Sequence, residues 1–351
     1  MSTQCLGELL ESNDIADDVT ELRRRLNEDG YLFFRGLLDR QELLDLRREM
    51  LTVMQAGGWL IAGTDPIDGL ANPDFRSTEG DLEYTDVYHQ VYRLQSFHQI
   101  GHDPGLISLL EKVRGCSMMS QPQKVARLWF PKFTDHTTPV HQDFVHFQGT
   151  HDNLTCWSPV GDCPRELGGL AVLRGSHKVN RVLDHHFSLG AGSLIVHPER
   201  HNELGTEWLT TDYRCGDTLV FPALTIHRAL PNVTDDRLRL SLDNRYQRVS
   251  DPIAEHMLNP HLSSMSPLTW EEVYEDWDSA EYQYYWKHQN LKVLPKITSY
   301  IEAAFEEASQ LARQGDPRAQ LHLRRISLRE PESAMGRQAA KVLEESPSAS
   351  V

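Results

Sequence analysis

No stretch of about 18 consecutive apolar residues occurs in the chain, which excludes a membrane-spanning helix. A basic footprint is missing too. Lys and Arg number 35 against 51 Asp and Glu, a formal net charge of −16, so nothing advertises a platform for nucleic-acid phosphates. The same balance disfavours a polyanionic ligand, although a local basic pocket inside an acidic protein is compatible with it. Cysteines are few and scattered: Cys5, Cys116, Cys156, Cys163 and Cys215 show no CxxC spacing. Reduced thiols are therefore expected, not a disulfide frame or a zinc site. The opening residues lack the basic and apolar regions of a secretory signal, so a cytoplasmic location is the expectation. No internal repeat or low-complexity linker is present. A content of 39% hydrophobic and 25% charged residues is that of a soluble globular protein.

What is present divides into three stretches. In the first, residues 17–28 place Val19, Leu22 and Leu26 at helical spacing behind acidic residues, and Asp29-Gly30 ends the helix. Tyr31 to Phe34 reads as an aromatic strand closed by Gly36. A second helix is predicted over 39–55, with Asp39 as N-cap, Glu42 three residues on, and Leu43, Leu46, Met50 and Met54 as its buried stripe. The Gly-, Asp-, Pro- and Thr-rich stretch 57–85 reads as a long loop of the kind that covers a site, and 104–114 as a helix ended by Gly115. From 123 to 250 short β-rich runs alternate with turn residues, which indicates a sandwich or barrel. Beyond 267 the pattern is helical again, with a long helix at 294–314, further helix within 318–345 and a frayed tail. The expected architecture is a single domain over 1–351. It has an N-terminal helix, strand and loop region (1–122), an all-β core (123–250) and a C-terminal helical region (251–345).

Seventeen histidines are too many to weigh one by one. The segment Pro139 to Asp143 is more particular. On an extended strand alternate residues share a face, so His141 and Asp143 are expected to converge while Gln142 points away. One imidazole and one carboxylate, completed by a distant second His, make the ligand set of non-haem Fe(II) oxygenases, with positions left open for cosubstrate and O2. The pair alone is a weak signal. A second part follows, where the Gly216-Asp217 turn feeds an apolar strand and His227 closes the next short run. Strict alternation then puts Arg237, Arg239, Ser241, Asp243 and Arg245 on one face, and Leu238, Leu240 and Leu242 on the other. Arginines on the polar face of an apolar strand need an anion. A dicarboxylate gripped bidentately is one answer, and salt bridges to Asp243 or another acid are the other.

These residues carry a family resemblance. The run His141-Gln142-Asp143, the stretches Trp157 to Val160 and Gly168 to His177, and His227 followed by Pro231-Asn232 closely resemble the phytanoyl-CoA dioxygenase family of Fe(II)/2-oxoglutarate oxygenases. The opening strand from Asp29 to Gly36 is similar as well, so the likeness spans roughly 28–248. It implies a double-stranded β-helix (jelly-roll) core with flanking helices. It also implies iron on His141, Asp143 and His227, with 2-oxoglutarate chelating the metal. The far carboxylate would be met by Arg237 or Arg239, both suitably placed after the distal His. Arg239 is favoured because Ser241 lies on its face. Thr155, Trp157, Gln123 and Arg127 are further candidates for cosubstrate contact. Related halogenases replace the carboxylate ligand by a small residue to seat chloride, and Asp143 leaves no such vacancy. Hydroxylation, or desaturation or ring closure after hydrogen abstraction, is the implied outcome, with release of succinate and CO2.

Partners are then O2 and a small-molecule substrate, acted on by a monomer or homodimer, without nucleic acid or membrane. Two other readings stay open: a cupin-like metal enzyme that uses no 2-oxoglutarate, and a binding protein on the same fold. His177 reads as structural or pocket-lining. The segments 57–85 and 178–212 are lid candidates, His89, Tyr92, Arg93 and His98 are pocket candidates, and the aromatic set from Trp270 to Trp286 reads as core packing.

Overall fold

The computed structural model describes residues 6–347, so the expectations for Cys5 and the extreme C-terminus fall outside it. Cys116, Cys156, Cys163 and Cys215 are free thiols. The first helix runs Val19–Asp29, with the Asp18 side chain accepting from the Glu21 amide. Gly30 ends it at φ +78, where a Cβ would collide with the His177 ring, so only glycine fits this turn. The Gly-Ser-His element thus has a structural role: Gly175 N–H donates to Asp29 O, and the His177 ring lies against the Gly30 turn. The helix Arg40–Ala56 starts at the predicted cap, Asp39, and buries Leu43, Leu46, Met50 and Met54 as expected.

The core is a jelly roll of two facing sheets. One has the order Gly7–Glu8, Trp208–Thr210, Leu170–Leu173, Ile226–Ala229, His141–Gln142. The other has the order Leu32–Phe34, Thr218–Pro222, Leu154–Pro159, Arg239–Arg248, Met118–Ser120, with Val125–Trp129 also pairing on Arg239–Arg248. Strand alternation separates the faces. Phe33, Trp157, Val172, Leu219 and Phe221 pack between the sheets. Leu238, Leu240 and Leu242 point outward from the larger sheet into the main core, which the helices Arg40–Ala56, Leu82–Tyr92 and Pro104–Arg114 cover. Burying one such Leu is worth roughly 1.5–3 kcal/mol. Their neighbours Arg239, Ser241, Asp243 and Arg245 consequently face the interior between the sheets.

Four expectations need correction. The stretch 57–85 is not loop throughout, because the helix Leu82–Tyr92 begins within it and buries Tyr84, Val87, Tyr88 and Val91. Within the stretch 123–250 read as the β core, Leu194–Ile195 does not join the jelly roll but pairs with His186–Phe187 in a separate ribbon. Between 267 and 293 the helical signal yields only the short turns Trp270–Val273 and Tyr285–His288, while the aromatics Trp270, Tyr274 and Trp286 pack into the main core as expected. Tyr92 and His98 belong to that same aromatic packing against Trp270, away from the interior of the jelly roll.

The C-terminal helices Ser299–Arg313, Pro317–Arg329 and Ala334–Glu345 share their own apolar cluster, including Phe305, Ala308, Leu323 and Val342. Ile297 and Ile301 stay exposed.

Candidate metal centre

His141 and His227 are register partners on adjacent antiparallel strands. That pairing, and not alternation along one strand, brings the imidazoles together. The strand ends at Gln142, and Asp143 has helical backbone angles (φ −59, ψ −30) at the head of the single turn Phe144–Phe147. The expectation that His141 and Asp143 share a strand face is corrected accordingly. The chain turns, and the turn returns the carboxylate to the two histidines. Asp143 Oδ1 lies 3.4 Å from His141 Nε2 and 3.6 Å from His227 Nε2. One ligand atom from each of the three buried residues falls within 4.8 Å of the others.

Both imidazoles are oriented for metal. His141 Nδ1 lies 2.8 Å from Pro139 O, and His227 Nδ1 lies 3.0 Å from Thr225 O. A carbonyl only accepts, so each Nδ1 carries the proton and each Nε2 lone pair faces inward. Burial, with His141 beside it, pushes the His227 imidazolium down to about 3, so that ring is neutral at neutral pH. Burial alone would raise the Asp143 carboxyl, but Arg245 and the two imidazoles hold it well below the usual carboxylate range. Two imidazoles and one carboxylate suit a divalent ion of the iron type.

A second requirement is visible beside the cluster. Arg239 is 1% exposed and donates to Ser241 Oγ at 2.6 Å, while its Nε has no partner among the described residues. Burial lowers this guanidinium to about 10. Trp129 Nε1, on the strand directly opposite, is likewise buried and unpaired. Unpaired buried donors around a cation call for an anion. A carboxylate of 2-oxoglutarate fits that demand. Arg237 is exposed and turned out of the pocket.

The pocket between these groups is lined by Thr155, Trp157 and Arg127 as well as the cluster. Gln123 is not among its walls. Its Nε2 donates to His256 O and Asn259 O and so fastens the segment 256–259. None of His89, Tyr92, Arg93 and His98 lines the pocket.

Sequence reasoning missed a line of alternating charge. Glu79 Oε2 lies 2.5 Å from Arg127 Nη1, and Arg127 Nε lies 3.1 Å from Asp243 Oδ2. Arg245 Nη2 lies 4.0 Å from Asp243 and 3.2 Å from Asp143 Oδ2. Salt bridging to Asp243 therefore describes Arg127 and Arg245, and leaves Arg239 without a carboxylate. The alternation of 237–245 already put Arg245 on this face, but Glu79 sits in the Gly- and Pro-rich segment with no local signal.

A jelly roll holding a buried cluster of two histidines and one carboxylate defines a class, the non-haem iron oxygenases. Within it, the chain belongs to the phytanoyl-CoA dioxygenase (PhyH) family, which matches residues 26–240, and it is an oxygenase dependent on iron and 2-oxoglutarate. The 1-deoxypentalenic acid 11-beta-hydroxylase of Streptomyces arenae is 27% identical over 268 residues, 74% of this chain and 91% of that one. The enzyme of the same name from Streptomyces exfoliatus is 25% identical over 267 residues, with the same coverage. Among solved structures, the carbocyclase SnoK from nogalamycin biosynthesis aligns with 68% of this chain and 88% of its own, at 18% identity and a TM-score of 0.48. The epimerase SnoN in complex with Fe3+, alpha ketoglutarate and nogalamycin RO covers 68% and 86%, at 22% identity and a TM-score of 0.45.

Proposed function

We propose that His141, Asp143 and His227 hold Fe(II), that Arg239 and Ser241 receive the far carboxylate of 2-oxoglutarate, and that the chain hydroxylates an unactivated C–H bond of a small-molecule metabolite. The observation that carries this reading is the inward orientation of both Nε2 atoms toward Asp143 Oδ1 beside an unpaired buried guanidinium. Bound iron and 2-oxoglutarate supply the oxidising chemistry, with succinate and CO2 as co-products. The protein's share is geometric. The backbone carbonyls of Pro139 and Thr225 fix the imidazole tautomers, and Thr155 and Arg245 anchor Asp143. Trp157, Leu170 and Phe221 line the pocket with apolar surface that excludes water.

Hydroxylation is favoured by the two related hydroxylases and by the carboxylate at 143. A cupin-like enzyme without 2-oxoglutarate would leave Arg239 with no anion. The jelly-roll core 123–250 and its flanking regions are read as one catalytic domain over 1–351. Anaerobic absorption spectroscopy tests the assignment. Fe(II) and 2-oxoglutarate should produce a metal-to-ligand charge-transfer band in the native protein that disappears in His141→Ala. A folded, iron-loaded native protein without that band would defeat the 2-oxoglutarate reading.

A further inference from the structure

The two oxygens of Asp143 have different surroundings. Oδ1 faces both imidazoles, at 3.4 and 3.6 Å. Oδ2 accepts from the Thr155 hydroxyl and from Arg245 Nη2. Thr155 and Arg245 are register partners across adjacent strands of the larger sheet, so the two donors form one rigid platform. Arg245 is 1% exposed, donates a second time to Asp243 O at 3.1 Å, and lies over the Phe147 ring with Cζ 3.1 Å from its centroid. That ring belongs to the same short helical turn that Asp143 opens. The guanidinium is thus held on three sides and has little freedom to release Oδ2.

The distinction between the oxygens bears on coordination. A carboxylate that binds a metal through both oxygens takes two positions, whereas a chelating 2-oxo acid needs two and O2 needs one. We infer that Arg245 is a positioning residue that restrains Asp143 to one metal-facing oxygen and thereby keeps the sixth coordination position free for O2. The inference rests on the metal assignment proposed above. It predicts a separation that loss of packing would not produce. Removing Arg245 frees Oδ2 to turn toward the ion, which preserves binding of metal and of 2-oxoglutarate while closing the position left for O2.

The test uses full-length protein as native, Arg245→Met, Arg245→Lys and Thr155→Val, with melting of each apoprotein as a check on folding. Fe(II) affinity is measured anaerobically against a chromophoric chelator. Affinity for 2-oxoglutarate is read from titration of the charge-transfer band in iron-loaded protein, and the open position from anaerobic titration of that complex with nitric oxide, an O2 analogue. Arg245→Met should keep the affinities for Fe(II) and 2-oxoglutarate near native while that for nitric oxide falls about tenfold. Arg245→Lys should recover most of the loss, and Thr155→Val should show a smaller shift of the same kind. If Arg245→Met does not fold, the split in Thr155→Val decides. All three affinities falling together, or none changing, would overturn the inference while leaving the metal assignment intact. A native protein that binds no iron would defeat both.

Discussion

Arg239 donates to the Ser241 hydroxyl at 2.6 Å and has no carboxylate within ion-pair distance among the described residues. A buried guanidinium in that condition is a receptor for an anion. Truncating one side of a buried, hydrogen-bonded charge pair costs roughly 2–5 kcal/mol. Arg239→Gln should therefore raise the Kd for 2-oxoglutarate by at least about thirtyfold. Arg237→Gln, at an exposed position, should leave it within about twofold, as surface changes do. Titration calorimetry on metal-loaded protein compares the two, and equal effects would remove Arg239 from the cosubstrate site.

Gln142 lies between two members of the cluster but serves a different purpose. Its Nε2 donates to Arg181 O and Leu224 O, and its Oε1 accepts from Leu183 N at 2.8 Å. The side chain is fully buried and ties the 181–183 segment to the strand that carries His141. Gln142→Leu would strand two backbone groups of buried residues, Leu183 N and Leu224 O, each worth about 1–3 kcal/mol when left unpaired. Urea unfolding should show a loss of at least about 2 kcal/mol. A variant as stable as native would mean that water or a shifted backbone replaces these bonds.

How far the sequence disclosed this arrangement depends on the range of the interaction. Leu238, Leu240 and Leu242 were legible as an outward face because strand alternation is local, and Arg239 to Arg245 followed with them. His141 and His227 were legible as a pair because the motif order matches the family. Their meeting across a strand pair, and the turn at Asp143, depend on tertiary register that no local period reveals. Tyr84, Val87, Tyr88 and Val91 do have helical spacing, but the breakers upstream of Leu82 masked where the helix begins. Glu79 and Arg127 are partners far apart in sequence, and an isolated acid in a loop carries no sign of its counterion.

Buried histidines give the protein a definite pH response. Burial pushes His102 down to about 2, His98 to about 3 and His322 to about 4. In the unfolded chain each takes a proton near its ordinary value of 6.5, while the folded form refuses it until the pH is far lower. Folded-state pKa values are depressed, so this stability is complete above about pH 6.5 and declines as pH falls, by ~1.4 kcal/mol per unit for each such histidine. His102 stacks on Tyr282 at 4.3 Å, and its Nε2 has no partner among the described residues. His102→Phe keeps the ring and removes the proton. Its stability near pH 7.5 should match native, and near pH 5.5 it should retain ~1.4 kcal/mol more of it. Parallel pH dependence of the two proteins in urea titrations would rule out this histidine as a contributor.

Arg325 links the C-terminal helices to the loop at the pocket. It projects from Pro317–Arg329, beyond the residues that match the family, and grips Asp81 through Nε at 2.8 Å and Nη2 at 3.4 Å. Two residues before Asp81, Glu79 meets Arg127 on the pocket wall. The Asp81 carboxylate also accepts from the Thr78 amide, so the turn 78–81 is held at both ends. A pair only partly withdrawn from water contributes at most about 1 kcal/mol to global stability. Its larger effect falls on local opening of the segment it pins, which it holds together with the Glu79–Arg127 pair. Arg325→Met should therefore melt close to the native temperature yet be cut several-fold faster by trypsin after the exposed Arg76, a local opening that cleavage reports. Arg318→Met, which loses only an exposed contact with Asp135 at 4.0 Å, should behave as native in both assays. Cleavage at Arg76 unchanged in Arg325→Met would mean that the Glu79–Arg127 contact holds the segment alone, and that the C-terminal helices do not control entry to the site.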